Sequence, residues 1–162
     1  MTIDSILSFE NGNHRSLARD RATLETAREA LEREGFYAYG TVDDQNRWTI
    51  AVDDEVGRVD VRVGDDGLEV AFWATSPGLF ADEENPWRRR ALERLARMTL
   101  PNIARGFLEP HQRVSWDEVE QGVAVTTTYE LPFTRAEDVG RFTRERLPEL
   151  DHLLGLVERQ LA

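Results

Sequence analysis

The sequence predicts one α+β domain, in which an antiparallel sheet of five or six strands is combined with three helices. Two observations predict this class. Apolar residues recur at helical spacing in three segments, and between those segments they alternate with polar residues at the spacing of a β-strand. The chain of 162 residues also has the length of one domain, and 40% of its residues are hydrophobic, which is enough for a core. The predicted order is helix, three or four strands, helix, two strands, helix.

Residues 1–15 are predicted to form a flexible tail, because polar and apolar residues are mixed around the Asn-Gly-Asn sequence at 11–13. The single domain then covers residues 16–162. Its first helix is expected to begin at Ser16 and to end at Gly35, since glycine is common just past the last helical residue. The apolar side chains that share one face of this helix are Leu17, Leu24, Ala27 and Leu31.

A meander of short strands follows the first helix. Alternation of apolar and polar residues predicts strands within 36–39, 47–52, 58–63 and 68–73. The Asp-Gly dipeptide at 66–67 predicts a tight hairpin turn. One face of the sheet is then apolar, with Trp48 and Phe72 in the core, and the other is mostly polar, with Ala71 and Trp73 on it.

The second helix is expected to begin at Asn85, because an asparagine N-cap is followed there by a proline at the first helical position. Pro101 is expected to end or kink this helix. Two further strands are predicted around 114–116 and 123–131. The buried stripe of the second helix is predicted to consist of Trp87, Ala91, Leu95 and Met98.

A capping box at 134–137 is predicted to open the last helix, and Pro148 is expected to cause a kink or break near Leu147. The second half of this helix has an apolar seam of heptad type, which is usually core and which is also our candidate for contacts between two copies of the chain. The seam consists of Leu147, Leu150, Leu154, Val157 and Leu161.

Composition excludes several classes of function. There is no cysteine, so disulfides, thiolate nucleophiles, iron–sulfur clusters and cysteine-based zinc sites are absent. The net charge of −11 disfavours a protein dedicated to nucleic acid, because the chain repels phosphate on average. No secretory signal or membrane-spanning run is present in the sequence, so a cytoplasmic protein that does not contact the membrane is expected.

No motif predicts catalysis, a cofactor or a metal. The sequence lacks glycine-rich phosphate-binding motifs, and its three histidines lie in different segments, which predicts ordinary surface residues. The acidic pairs fall at predicted turns, where aspartate is favoured by local hydrogen bonds. We therefore expect no catalytic residue, no cofactor and no metal site.

Charge is unevenly distributed. Residues 41–84 hold 12 acidic residues and 3 arginines, whereas residues 85–105 hold 6 arginines and one glutamate. Arg90, Arg94 and Arg97 share a helix face, which could bind phosphate or an acidic partner. It could also be an ordinary solvated face, or a strip that pairs with the protein's own acidic sheet or with a second copy. Trp73 beside Ala71 on the polar face of the sheet is a candidate anchor for a partner protein. The alternative is that the N-terminal tail or the last helix covers Trp73.

The element order and the stretch 123–133 (VAVTTTYELPF), which leads into the closing amphipathic helix, resemble the YbjN-like family, whose fold is shared with the type III secretion chaperones. The resemblance covers residues 16–162. It implies a small acidic protein, usually a homodimer, that holds other proteins and does not catalyse a reaction.

The predicted function is a non-enzymatic, chaperone-like module that captures a partner protein through an apolar surface bordered by carboxylates. These carboxylates would steer a basic client, such as a nucleic-acid-binding protein. Two alternatives stay open: a small enzyme with a site made only of carboxylates, and direct nucleic-acid contact through the helix face from Arg88 to Arg97.

Overall fold

The computed structural model describes the backbone of residues 3–161 and the side chains of residues 18–161 except those at 104 and 107. The helices in this part of the chain are α1 (Ile3–Arg33), α2 (Pro86–Phe107) and α3 (Val139–Leu161). The strands are β1 (Ala38–Val42), β2 (Trp48–Asp53), β3 (Arg58–Val63), β4 (Leu68–Ser76), β5 (Gln112–Asp117) and β6 (Gly122–Leu131). The α+β prediction is confirmed.

The six strands form one sheet in the order β1-β2-β3-β4-β6-β5, and every neighbouring pair is antiparallel. The first four strands are the predicted meander. The hairpin between β3 and β4 closes where the Gly64 N–H donates to the Gly67 carbonyl at 2.8 Å. Gly67 is required there, since a β-carbon would come within 2.5 Å of the Leu131 carbonyl oxygen.

The core lies between one face of the sheet and the helices. Phe72 of β4 is fully buried and contacts the rings of Tyr129 and Phe142, so α3 packs directly on the centre of the sheet. Gly140 lets α3 approach α1 closely, because its backbone lies against the Ala30 carbonyl. The largest fully buried side chains are Phe72, Leu31, Leu68, Leu150, Val52, Val59, Val61, Val70, Val123, Val125, Val139 and Val157.

Helix ends differ from the sequence predictions. Helix α1 begins at Ile3, well before Ser16, since one glycine within a helix weakens it but does not end it. Strand β1 lies two to three residues later than predicted, at Ala38–Val42. The predicted flexibility of residues 1–15 stays a prediction.

The entry to α3 also differs from the sequence prediction. A short 3-10 helix at Phe133–Asp138 precedes α3, and its N-cap residue is Pro132 without a side-chain cap, so the predicted capping box is wrong. Pro101 and Pro148 lie inside helices that continue past them, so neither proline ends its helix, and the predicted kinks stay predictions. Packing of the flanking turns can outweigh the one hydrogen bond that a proline removes.

The prediction for the buried face of α2 is wrong. The four residues expected to be buried are exposed. Helix α2 contacts β5 and α3, and its buried apolar residues are Ala96 and Leu100. The predicted N-cap is confirmed, because the Asn85 side chain accepts the backbone N–H of Trp87 at 3.0 Å. None of the described helices is both long and apolar enough to cross a membrane.

Candidate protein-binding surfaces

The first candidate surface is the open face of the sheet, by which we mean the face opposite the core. Trp73 of β4 lies on it with 38% of its surface exposed. In the strand register it stands opposite Arg58 of β3 on one side and Thr126 of β6 on the other. Ala71 lies two residues earlier on the same face and is partly exposed. The structure therefore brings the two predicted anchor residues together at the middle of the sheet.

Charged side chains on the open face are paired with one another. Asp43 accepts the backbone N–H groups of Gln45 and Arg47, each at 2.9 Å, and its carboxylate contacts the guanidinium groups of Arg47 at 2.9 Å and Arg62 at 3.3 Å. The N–H of Arg47, followed by its guanidinium and the N–H of Gln45, lowers the pKa of Asp43. Sequence position alone indicated a simple turn residue here.

Carboxylates border the open face at both ends of its strands. Asp44 at one end and Asp53 and Glu55 at the other are exposed, and so is the acidic pair at 65–66 in the β3–β4 turn. Between these borders lies an open hollow of about 740 Å³. Its lining includes Thr41, Arg47, Asp60, Trp73 and Thr128. The arrangement suits a polypeptide that offers cations toward the strand ends.

The predicted core position of Trp48 is wrong. It has the same side-chain direction as Ile50, yet 57% of it is exposed. It is the first residue of β2 and pairs with Val42, which is itself 49% exposed, so the pair lies at the border of the core. Alternation sets the direction in which a side chain points, but whether the side chain is buried depends on where the helices that pack on the sheet end.

The second candidate surface is an exposed apolar stripe on α2, which we call the α2 stripe. Its four members are spaced to share one helix face. The exposed fractions are 77% for Trp87, 60% for Leu95 and 70% for Met98, and Ala91 is also exposed. Large side chains so exposed in one row are unusual for a surface that contacts only water.

The three predicted arginines border the α2 stripe. The guanidinium of Arg90 lies over the Trp87 ring, 5.3 Å from its centre. Arg97 pairs with Glu118 at 2.9 Å and lies over Trp116. Arg94 is exposed and has no carboxylate of the described residues within 4.0 Å. The predicted shared face is present, although Arg97 is held by the protein itself.

The structure places the α3 seam inside the chain's own core. Leu147, Leu150, Leu154 and Val157 are buried, and Leu161 packs against the same cluster. The four buried side chains are therefore not on the surface where a second copy could reach them, whereas Leu161 is partly exposed. The homodimer that the family resemblance implies stays a prediction.

A groove between α3 and the start of β5 holds features that sequence reasoning missed. His111 and His152 both line it, although 40 residues separate them in the sequence. The His111 ring lies tilted against that of Tyr129, with 4.8 Å between ring centres, and its Nε2 is 3.5 Å from a carboxylate oxygen of Glu109. No local sequence signal shows that the two histidines line one groove, because the packing of α3 on β6 brings them to it. Among the described residues, no group of three histidine or acidic side chains is placed to hold a metal ion.

Comparison with known proteins finds similar folds among solved structures. No family model matches the chain, and no curated protein matches it. The crystal structure of YbjN from E. coli is similar with a TM-score of 0.44 and 14% identity, over 81% of this chain and 87% of that one. A structure of an uncharacterized protein from Methanothermobacter thermautotrophicus is similar with a TM-score of 0.46 and 16% identity, over 86% of this chain and 99% of that one.

With TM-scores below 0.5, neither likeness bears on function. A YbjN structure is among the solved structures with a similar fold, and the resemblance of the sequence to the type III secretion chaperones stays a prediction.

Proposed function

We propose that this protein is a non-enzymatic, chaperone-like binding module that captures a basic polypeptide on the open face of its sheet. The observation that supports the proposal most is the position of Trp73, which is exposed at the centre of a face on which no described helix packs. Tryptophan is enriched among residues that dominate binding energies, since it buries a large area with few rotatable bonds.

The charge pattern supports a basic client. Residues 41–84 carry 12 acidic side chains and 3 arginines, and those arginines, Arg47, Arg58 and Arg62, are already paired with carboxylates of the same face. The remaining exposed carboxylates lie in the turns at the strand ends. Complementary charge at the border of an interface speeds the encounter and makes the affinity dependent on salt.

Binding of a synthetic peptide tests this proposal. The probe is a peptide in which arginine alternates with leucine, and the matched control has glutamate in place of each arginine. We expect the arginine peptide to bind in calorimetric titrations and to lose about tenfold in affinity between low and moderate salt. Binding that salt does not change, or no binding, would contradict the proposal.

Three variants separate the open face from general charge attraction. Trp73→Ala should weaken binding about 30-fold, which corresponds to a hot-spot residue of about 2 kcal/mol. The control Trp87→Ala removes an exposed tryptophan from α2 and should leave the affinity unchanged. Asp44→Asn together with Asp65→Asn should weaken binding at low salt only. Equal effects of the two tryptophan changes would show that the open face is not the site.

A further inference from the structure

We infer that the α2 stripe is a docking site for an acidic amphipathic helix of another protein. This surface is separate from the open face of the sheet, and the inference does not depend on the proposed function. The inference rests on an apolar row of side chains on α2 that lies beside a row of arginines.

The shape of the α2 stripe fits a helix. From Trp87 to Met98 it extends over 12 residues, or about 16 Å of helix axis. A row of side chains three or four residues apart interlocks with a partner helix that has apolar anchors at matching intervals. The α2 face turned inward, with Ala96 and Leu100, is already buried, so the exposed row is free for a partner.

The charges beside the stripe select an acidic partner. Arg90 and Arg94 are four residues apart and follow the apolar row along one side, and neither has a carboxylate of the described chain within 4.0 Å. Arg94 lies three residues after Ala91 and four before Met98, so any helix seated on the stripe comes close to its guanidinium. Arginine pairs with carboxylates through two parallel hydrogen bonds, which adds geometric specificity to the attraction.

The same charges disfavour a second copy of this chain as the occupant. Residues 85–105 contain six arginines and one glutamate, a net charge of +5. Packing of two α2 stripes against each other would bring arginine rows close to arginines in either relative direction. Like charges that flank an apolar seam are a known means of preventing self-pairing. Nucleic acid also fits poorly, since Leu95 and Met98 take up the second half of the stripe and offer no hydrogen-bond donor to a phosphate.

Peptides of defined sequence test the inference by fluorescence anisotropy. The probe is a helical peptide of about four turns with leucines on one face and glutamates along its side. One matched control has lysine in place of glutamate, and a second keeps the glutamates but has serine in place of leucine. A single-stranded RNA oligonucleotide is the nucleic-acid arm. We expect only the first peptide to bind, and Trp73→Ala should not affect its affinity.

Substitutions on α2 then assign the site. Leu95→Glu should weaken binding of the glutamate peptide about 30-fold, and Arg90→Glu with Arg94→Glu about tenfold or more. The doubly reversed variant should in turn bind the lysine peptide, which a variant that merely unfolded could not do. Absence of binding up to about 1 mM peptide would overturn the inference. Preference for RNA would overturn the inference in favour of nucleic acid as the occupant. A light-scattering mass that falls with Leu95→Glu would overturn it in favour of a second copy of the chain.

Discussion

Gly140 of α3 lies so close to Ala30 of α1 that a β-carbon at position 140 would come within 2.1 Å of the Ala30 carbonyl oxygen. The obstacle is backbone, which cannot rotate away as a side chain would. This contact sets how closely the two longest helices of the described chain approach each other over the apolar face of the sheet.

Gly140→Ala should therefore lower the free energy of unfolding by about 1–3 kcal/mol or more, the usual cost of an extra methyl group in a tightly packed contact. Gly155→Ala is the matched control in the same helix, since its nearest atom is the flexible end of Arg159 at 3.5 Å. The control should stabilise by about 0.5–1 kcal/mol through helix propensity. Denaturant unfolding measures both, and equal stability of the two variants would contradict the described approach of the helices.

Two leucines in α2 test which face of that helix is buried. Leu95 is 60% exposed and Leu100 is 3% exposed. Leu100→Ala should cost about 2–5 kcal/mol in the free energy of unfolding, since it leaves a cavity, while Leu95→Ala should change it by less than about 0.5 kcal/mol. The sequence periodicity predicts the opposite order. A larger loss of stability for Leu95→Ala than for Leu100→Ala would support the sequence prediction and contradict the exposure of the α2 stripe.

The network around Asp43 predicts how stability depends on pH. Hydrogen bonds from the Arg47 N–H and guanidinium and from the Gln45 N–H lower the pKa of Asp43 below its ordinary value of 3.8. A carboxyl whose pKa is lowered by folding contributes stability that is complete above the unfolded value and is lost as the pH falls through the folded one.

Asp43→Asn should therefore reduce the urea midpoint at neutral pH, and the difference from the unsubstituted protein should shrink as the pH falls below about 4. The exposed Asp44, which accepts no hydrogen bond from the described residues, is the control. Asp44→Asn should leave the midpoint nearly unchanged at every pH. A difference for Asp43→Asn that stays constant to low pH would show that its charge does not stabilise the turn.

Much of the sheet could be predicted because strand signals are local. Alternation places Val59 and Val61 inward and Trp73 on the other face, where the strand register sets it opposite Arg58. The helices were harder to predict. Periodicity shows which residues of α2 share a face, but the choice of the inward face depends on the available edge of β5, which is not a local property.

The parts of the candidate surfaces that could not be predicted depend on contacts between distant segments. The exposed position of Trp48 follows from where the cover of helices over the sheet ends. The shared groove of His111 and His152 follows from the packing of α3 on β6. Neither has a signature in residue type or spacing.

The most direct test of the account as a whole uses the indole N–H signals of the four tryptophans in a two-dimensional NMR spectrum. The arginine–leucine peptide should shift the Trp73 signal and leave the Trp87 signal unchanged. The acidic helical peptide should shift the Trp87 signal and leave the Trp73 signal unchanged. Neither peptide should shift the Trp48 signal. Shifts of the same signals by both peptides, or of none, would contradict the presence of two separate binding surfaces of opposite charge preference.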